Sequence, residues 1–85
     1  MKSVAIIGQG YVGLPLAYSL IRVGYLVSGV DVDEFKVNLL KSNISPIEDI
    51  TDSQVHELNS SKRYSISSDY SRISNSDVVV ICVPT

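Results

Sequence analysis

The stretch that decides the fold is Ser3–Gly13, SVAIIGQGYVG, where a run of mostly apolar, β-branched residues stops at Gly8 and three glycines follow within six positions. Ser3 to Ile7 reads as a short buried parallel strand, because a continuous apolar run suits a strand covered on both faces. Gly8-Gln9-Gly10-Tyr11-Val12-Gly13 matches G-x-G-x-x-G. The six-letter pattern alone is weak, since glycine turns also merely join a strand to a helix. Its setting gives it weight: it leaves an apolar strand directly and opens a periodic helix, the placement its mechanism needs.

In that setting each glycine has a task. Gly8 allows a tight turn off the strand, Gly10 lets a pyrophosphate approach bare backbone, and Gly13 lets the helix pack close to the sheet. Free N–H groups at the helix start and the helix dipole then favour a negative phosphate. Asp31 lies 18 residues beyond Gly13, at the end of a second apolar run, Leu26 to Asp31. An acid about 20 residues on is placed to accept hydrogen bonds from the ribose hydroxyls of a dinucleotide, and it repels a 2′-phosphate, so NAD is expected over NADP. Neither Arg22 nor Lys36, the cations that would rescue a 2′-phosphate, follows that acid directly. Asp31 also suits a plain strand-end or capping role, although Asp33 is the better cap. Val83-Pro84-Thr85 closes the last strand, where ligands of open sheets sit, so Thr85 either faces the cofactor or simply ends the strand.

Working outward, Tyr11 to about Val23 has apolar residues at Val12, Leu16, Leu20 and Val23, a helical spacing. Pro15 is tolerated in the first turn, and Gly24 stops the helix. Asp33 can cap a second helix to about Ser42, with Phe35, Val37, Leu39 and Leu40 inward. From Asn43 to Ser76 the pattern is weaker. Ser45-Pro46 marks a turn, Asp52 or Ser53 starts a short helix through Leu58, Tyr64 to Ser67 suits a third strand, and Asp69 to Ile73 suits one or two helical turns. Asp77 then leads Val78 to Val83, the strongest strand, apolar on both faces. Strand–helix alternation implies right-handed crossovers and a parallel sheet covered on both faces. The fold class is therefore α/β, Rossmann-type: the first half of a doubly wound dinucleotide-binding domain.

Composition sets the outer limits. The chain has 85 residues, 45% of them apolar and 19% charged, which fits one small globular unit and not a disordered segment. A net charge of −2 removes the electrostatic case for nucleic acid. One cysteine excludes an internal disulfide and a cysteine-based zinc site. No apolar run reaches a membrane span or a secretory signal, so a cytoplasmic setting is the expectation. Cys82, inside an apolar run, reads as an inert buried thiol. His56 reads as a surface residue, Glu48, Asp49 and Asp52 as a solvated loop or helix start, and Lys62-Arg63 as too small for a basic patch.

Four segments together carry a family resemblance: GQGYVGLPLA (8–17), GVDVDEFKV (29–37), SPIEDI (45–50) and DVVVICVPT (77–85). The chain resembles the N-terminal NAD-binding segment of the UDP-sugar 6-dehydrogenases, the UDP-glucose and UDP-N-acetylhexosamine dehydrogenases, over essentially its whole length. The resemblance implies a two-step, four-electron oxidation of a sugar C6 alcohol to a carboxylate with two NAD. It implies pyrophosphate contacts at Gly8, Gly10 and Gly13, backbone amides from Tyr11 and Val12, ribose contacts from Asp31 and Lys36, and a cofactor contact from Thr85. The segment around SPIEDI, without a glutamate-proline-glycine-leucine run, looks more like the N-acetylhexosamine branch. No residue here matches the family's catalytic cysteine and lysine or its UDP-sugar pocket, and Cys82 does not take that role. A fragment without dehydrogenase activity of its own is therefore expected, with the UDP-sugar bound only by the full-length enzyme and with a homodimer through the last strand a further expectation. Two other functions fit the glycine turn and the acid: a nucleotide-sensing regulatory domain, and part of another NAD(P) oxidoreductase such as a hydroxyacid or hydroxyacyl dehydrogenase.

Overall fold

Ser3–Ile7 forms β1 at the centre of a four-stranded parallel sheet in the computed structural model, which describes residues 2–82. Its neighbours are β2 (Leu26–Val30) on one side and β4 (Val78–Ile81) on the other, and β3 (Tyr64–Ser67) lies beyond β2. The register sets Ile6 between Gly29 of β2 and Val80 of β4. The order β3-β2-β1-β4 means that the chain first builds outward on one side of β1 and then returns to build on the other. The reversal therefore falls between β1 and β4, the place where open α/β sheets bind ligands.

Three helices cover the face of the sheet that carries Val4, Ile6, Val27, Tyr64 and Ile66. The first, α1 (Gly13–Arg22), buries Leu14, Ala17 and Ile21, spaced three and four apart. The helical period was legible, but the buried stripe is not the one that Val12, Leu16, Leu20 and Val23 suggest. Val12 and Val23 are 68% and 71% exposed, because they flank the helix as its caps; Leu16 and Leu20 pack at the edge of the core. Gly24 follows the C-cap with φ of +101° and donates its N–H to the Ile21 carbonyl, the left-handed ending that glycine permits.

Asp33 caps α2 (Glu34–Lys41), accepting from the N–H groups of Phe35 and Lys36. Val37 and Leu40 are buried as expected, but Phe35 is 72% exposed. It sits two residues from Val37, about 200° around the helix, and so faces away from the sheet. The connection to α3 (Asp52–Ser60) is pinned by buried Ile47 and Ile50. A capping box opens α3: the Thr51 hydroxyl accepts from Gln54 N–H, and the Gln54 side chain accepts from Thr51 N–H. Asp69 caps a 3₁₀ helix (Tyr70–Asn75), which packs against β1 and β2.

The last strand has the open edge through which pairing with another copy is expected, but its side chains are less covered than expected. Val78, Val79 and Ile81 are exposed, and Cys82 beyond them is half-buried. An apolar run on both faces signals a strand covered on both, yet among the described residues β4 is an edge strand paired only with β1. Ala5 and Val30, which point to the face opposite the three helices, are nonetheless buried.

Candidate functional site

The glycine turn starts where β1 ends. Gly8 has φ of +97°, a left-handed conformation, and donates its N–H to the Val30 carbonyl at 2.7 Å. A Cβ on Gly8 would collide with the carbonyl oxygen of Cys82, whose own N–H donates to Ile7 at 2.7 Å. A Cβ on Gly13 would collide with the Gly8 carbonyl oxygen and press on Ile6. Two of the glycines thus exist for packing: the turn, the end of β4 and the start of α1 approach one another too closely for side chains. Gly10 differs. The nearest atom to a Cβ there is the Lys36 Nζ, at an ordinary contact distance of 3.6 Å, so a small side chain would meet only the end of a flexible lysine.

Asp31 meets the turn from the end of β2. It is 6% exposed; its Oδ2 accepts from the Gln9 N–H at 2.8 Å and its Oδ1 from the Asp33 N–H at 2.9 Å. The Lys36 ammonium stands 3.5 Å from Oδ2. Asp33, by capping α2, aims the first turn that carries Lys36 back over the acid. At the start of α1, Val12 offers no side-chain cap and the first turn holds no acid, so its N–H groups keep an electropositive end.

These groups border one cleft of about 510 Å³ at the carboxyl ends of the strands. It brings together Gly8, Gly10, Tyr11, Val12, Asp31 and Lys36. Gly13 lies beneath it, buried against Gly8. Thr85 falls outside the described residues. Cys82, expected to be buried and inert, also borders the cleft, because β4 ends beside Gly8. His56, Glu48 and Asp49 are exposed, and no group of three or more metal-ligating side chains occurs among the described residues. A second groove of about 380 Å³, around Ser3, Leu26 and Arg63, lies at the opposite end of the strands, away from the turn.

Three contributors escaped the sequence reading. Val32 and Tyr70 line the cleft, Tyr70 from the 3₁₀ helix. Gln9, at the first x of the motif, has no exposed surface; its side chain folds under the turn and accepts a 2.7 Å hydrogen bond from the Tyr64 hydroxyl. Burial and the charge of Asp31 push the Tyr64 hydroxyl well above its ordinary pKa, so it stays a donor. The available signal was Gly29, an isolated glycine within a strand, which marks a close approach.

Sequence and structure comparisons agree with this architecture. Residues 2–85 match the model of the UDP-glucose/GDP-mannose dehydrogenase family, NAD binding domain. UDP-N-acetyl-D-mannosamine dehydrogenase from Methanococcus maripaludis is 36% identical over 90 residues, covering 100% of this chain and 19% of that protein. UDP-glucose 6-dehydrogenase TuaD from Bacillus subtilis is 36% identical over 87 residues, with the same coverage. Among solved structures, GDP-mannose dehydrogenase from Pseudomonas aeruginosa, in a ternary complex, superimposes with a TM-score of 0.88 at 36% identity, over 100% of this chain and 20% of that one. The chain thus spans about a fifth of the length of these relatives. A Rossmann-type sheet with this glycine turn, and a family match over nearly every residue, lead to one assignment: the chain belongs to the UDP-glucose/GDP-mannose dehydrogenase family and corresponds to that family's NAD binding domain.

Proposed function

We propose that residues 1–85 are the N-terminal part of the NAD-binding domain of a nucleotide-sugar dehydrogenase and hold the pyrophosphate and adenosine ribose of the cofactor. The observation that carries this reading is the convergence of Gly10 and Asp31 on one cleft, with Lys36 between them. The residues fit the group. Gly10 leaves backbone bare where a pyrophosphate must come close, and the uncapped start of α1, with the amides of Tyr11 and Val12, favours its charge. Asp31 Oδ2 already faces the Gln9 N–H and the Lys36 ammonium, whereas Oδ1 accepts only from the Asp33 N–H among the described contacts and keeps a lone pair for a ribose hydroxyl. Lys36 offsets part of the carboxylate charge and can reach phosphate or ribose. Thr85 is proposed as a further contact on the strength of the VPT segment alone.

NAD supplies hydride acceptance when bound; the residues here hold and orient it. None of them is proposed as catalytic. The oxidation of a UDP-hexose or UDP-N-acetylhexosamine C6 alcohol is proposed for the complete enzyme, in a cytoplasmic setting and in service of polysaccharide synthesis. Among the described residues β4 is an exposed edge, which favours dimerisation or aggregation of this chain through that strand. The dehydrogenase relatives favour this reading over a nucleotide sensor. The test is paired: calorimetric titration with NAD and NADP, and a search for NADH formation with UDP-glucose and UDP-N-acetylmannosamine. Weak NAD binding at best, without turnover, is expected, because residues 1–85 supply only part of the cofactor site. Turnover by the 85-residue chain, or preference for NADP, contradicts the proposal.

A further inference from the structure

We propose that Gln9 and Tyr64 are positioning residues of the cofactor turn: their buried hydrogen bond fixes the peptide that shapes the pyrophosphate receptor. The inference rests on the cofactor reading above. Gln9 is fully buried and Tyr64 nearly so. The Gln9 Nε2 donates to the Gly8 carbonyl at 2.9 Å and to the Ile6 carbonyl at 3.3 Å, while its Oε1 accepts from the Tyr64 hydroxyl. The side-chain amide is therefore satisfied at both ends, the condition for placing so polar a group in a core. Space is reserved for it: a Cβ on Gly29 would stand 2.7 Å from the Gln9 Oε1 and 2.9 Å from the Tyr64 hydroxyl.

The geometry singles out one peptide unit. The Gly8 carbonyl and the Gln9 N–H belong to the same plane. Gln9's own side chain holds the carbonyl end, and the Asp31 Oδ2 holds the N–H end. Rotating that peptide breaks both bonds at once, and Gly13 packs against the same carbonyl oxygen. An apolar residue of similar size could fill the volume under the turn but could not grip the carbonyl. Tyr64 anchors this grip from β3, two strands away from β1. The pair thus transmits the sheet's rigidity to the backbone that Gly10 leaves bare.

The test uses Tyr64→Phe and the double variant Gln9→Met/Tyr64→Phe, which replaces both partners with apolar groups of similar shape and so keeps the core filled. Two readouts are taken on the 85-residue chain. Amide exchange at Gly8 and Gln9 is compared with that at Val37 and Val55 in the helices, without ligand, and NAD affinity is measured by calorimetry. Positioning predicts that the double variant stays folded, its melting point lowered by loss of the Gln9 bonds to the Gly8 and Ile6 carbonyls, exchanges faster at Gly8 and Gln9 but not in the helices, and binds NAD about five- to tenfold more weakly. A merely structural pair predicts wild-type affinity once packing is restored. Wild-type exchange in the turn, or wild-type NAD affinity, overturns the inference. If the wild-type chain fails to bind NAD, the proposed function falls, and the exchange comparison alone then decides whether the pair holds the turn.

Discussion

The Gln9 backbone N–H donates to the Asp31 Oδ2 at 2.8 Å, and this bond ties the glycine turn to the end of the neighbouring strand. The acid expected to grip the ribose is therefore also a structural clasp. Substituting it has two separable consequences.

Asp31→Ala removes the acceptor for two buried or half-buried N–H groups, those of Gln9 and Asp33. It should destabilise the fold by about 1–3 kcal/mol, read as a lower urea midpoint. It should weaken NAD by roughly ten- to hundredfold and bring NADP closer to NAD, because the carboxylate that repels a 2′-phosphate is gone. Calorimetry with both cofactors checks the second effect.

The three motif glycines should not behave alike. Alanine at Gly8 or Gly13 forces a Cβ into backbone oxygen, and at Gly8 also strains a positive φ. Each should cost about 2–4 kcal/mol and lower the melting temperature. Gly10→Ala meets only the flexible end of Lys36 and should melt like wild type. Thermal melts of the three variants, run side by side, separate packing glycines from the access glycine.

Much of this was legible in the sequence, and the reasons for the misses are physical. The strand–turn–helix unit, Asp33 as a cap and β3 all stand where the pattern placed them, because caps, breakers and apolar runs act locally. The buried stripe of α1 was misplaced because Val12 and Val23 share the helical period yet lie at its ends. The exposure of β4 could not be read from Val78 to Val83, since an apolar run reports what a strand can bury and not what lies beside it. The turn and Asp31 were visible as a spaced motif, whereas Lys36 was implied only by the family resemblance and otherwise reads as an ordinary helix lysine. Gln9 and Tyr64 were not visible, for they are 55 residues apart and meet only through the sheet.

The capping box at α3 gives a stability test remote from the site. Thr51→Ala should cost about 1 kcal/mol and leave NAD affinity unchanged, because α3 lies on the helix-covered face. Chemical denaturation and titration of the same variant check both halves.

Stability should also depend on alkaline pH through Tyr64. Burial raises its pKa in the folded chain above the ordinary 10.0. The folded form therefore keeps its proton where the unfolded form loses it. The contribution is fully present below pH 10 and is lost progressively as pH rises above that value toward the raised folded pKa. Tyr64→Phe should flatten the fall of the urea midpoint with rising alkaline pH; an unchanged slope would mean that the hydroxyl is not held neutral in the fold.

The Gly8–Gly13 turn and Asp31 are proposed to form the NAD receptor. The most direct measurement is an NAD titration followed through the backbone amide resonances of the isotope-labelled chain, repeated on Gly10→Val. Concentration-dependent shifts confined to residues 8–13 and 31–36 are expected, with their loss in Gly10→Val while its spectrum is otherwise that of the folded chain. Undiminished binding by Gly10→Val, or shifts centred on the groove around Ser3, Leu26 and Arg63, would contradict it.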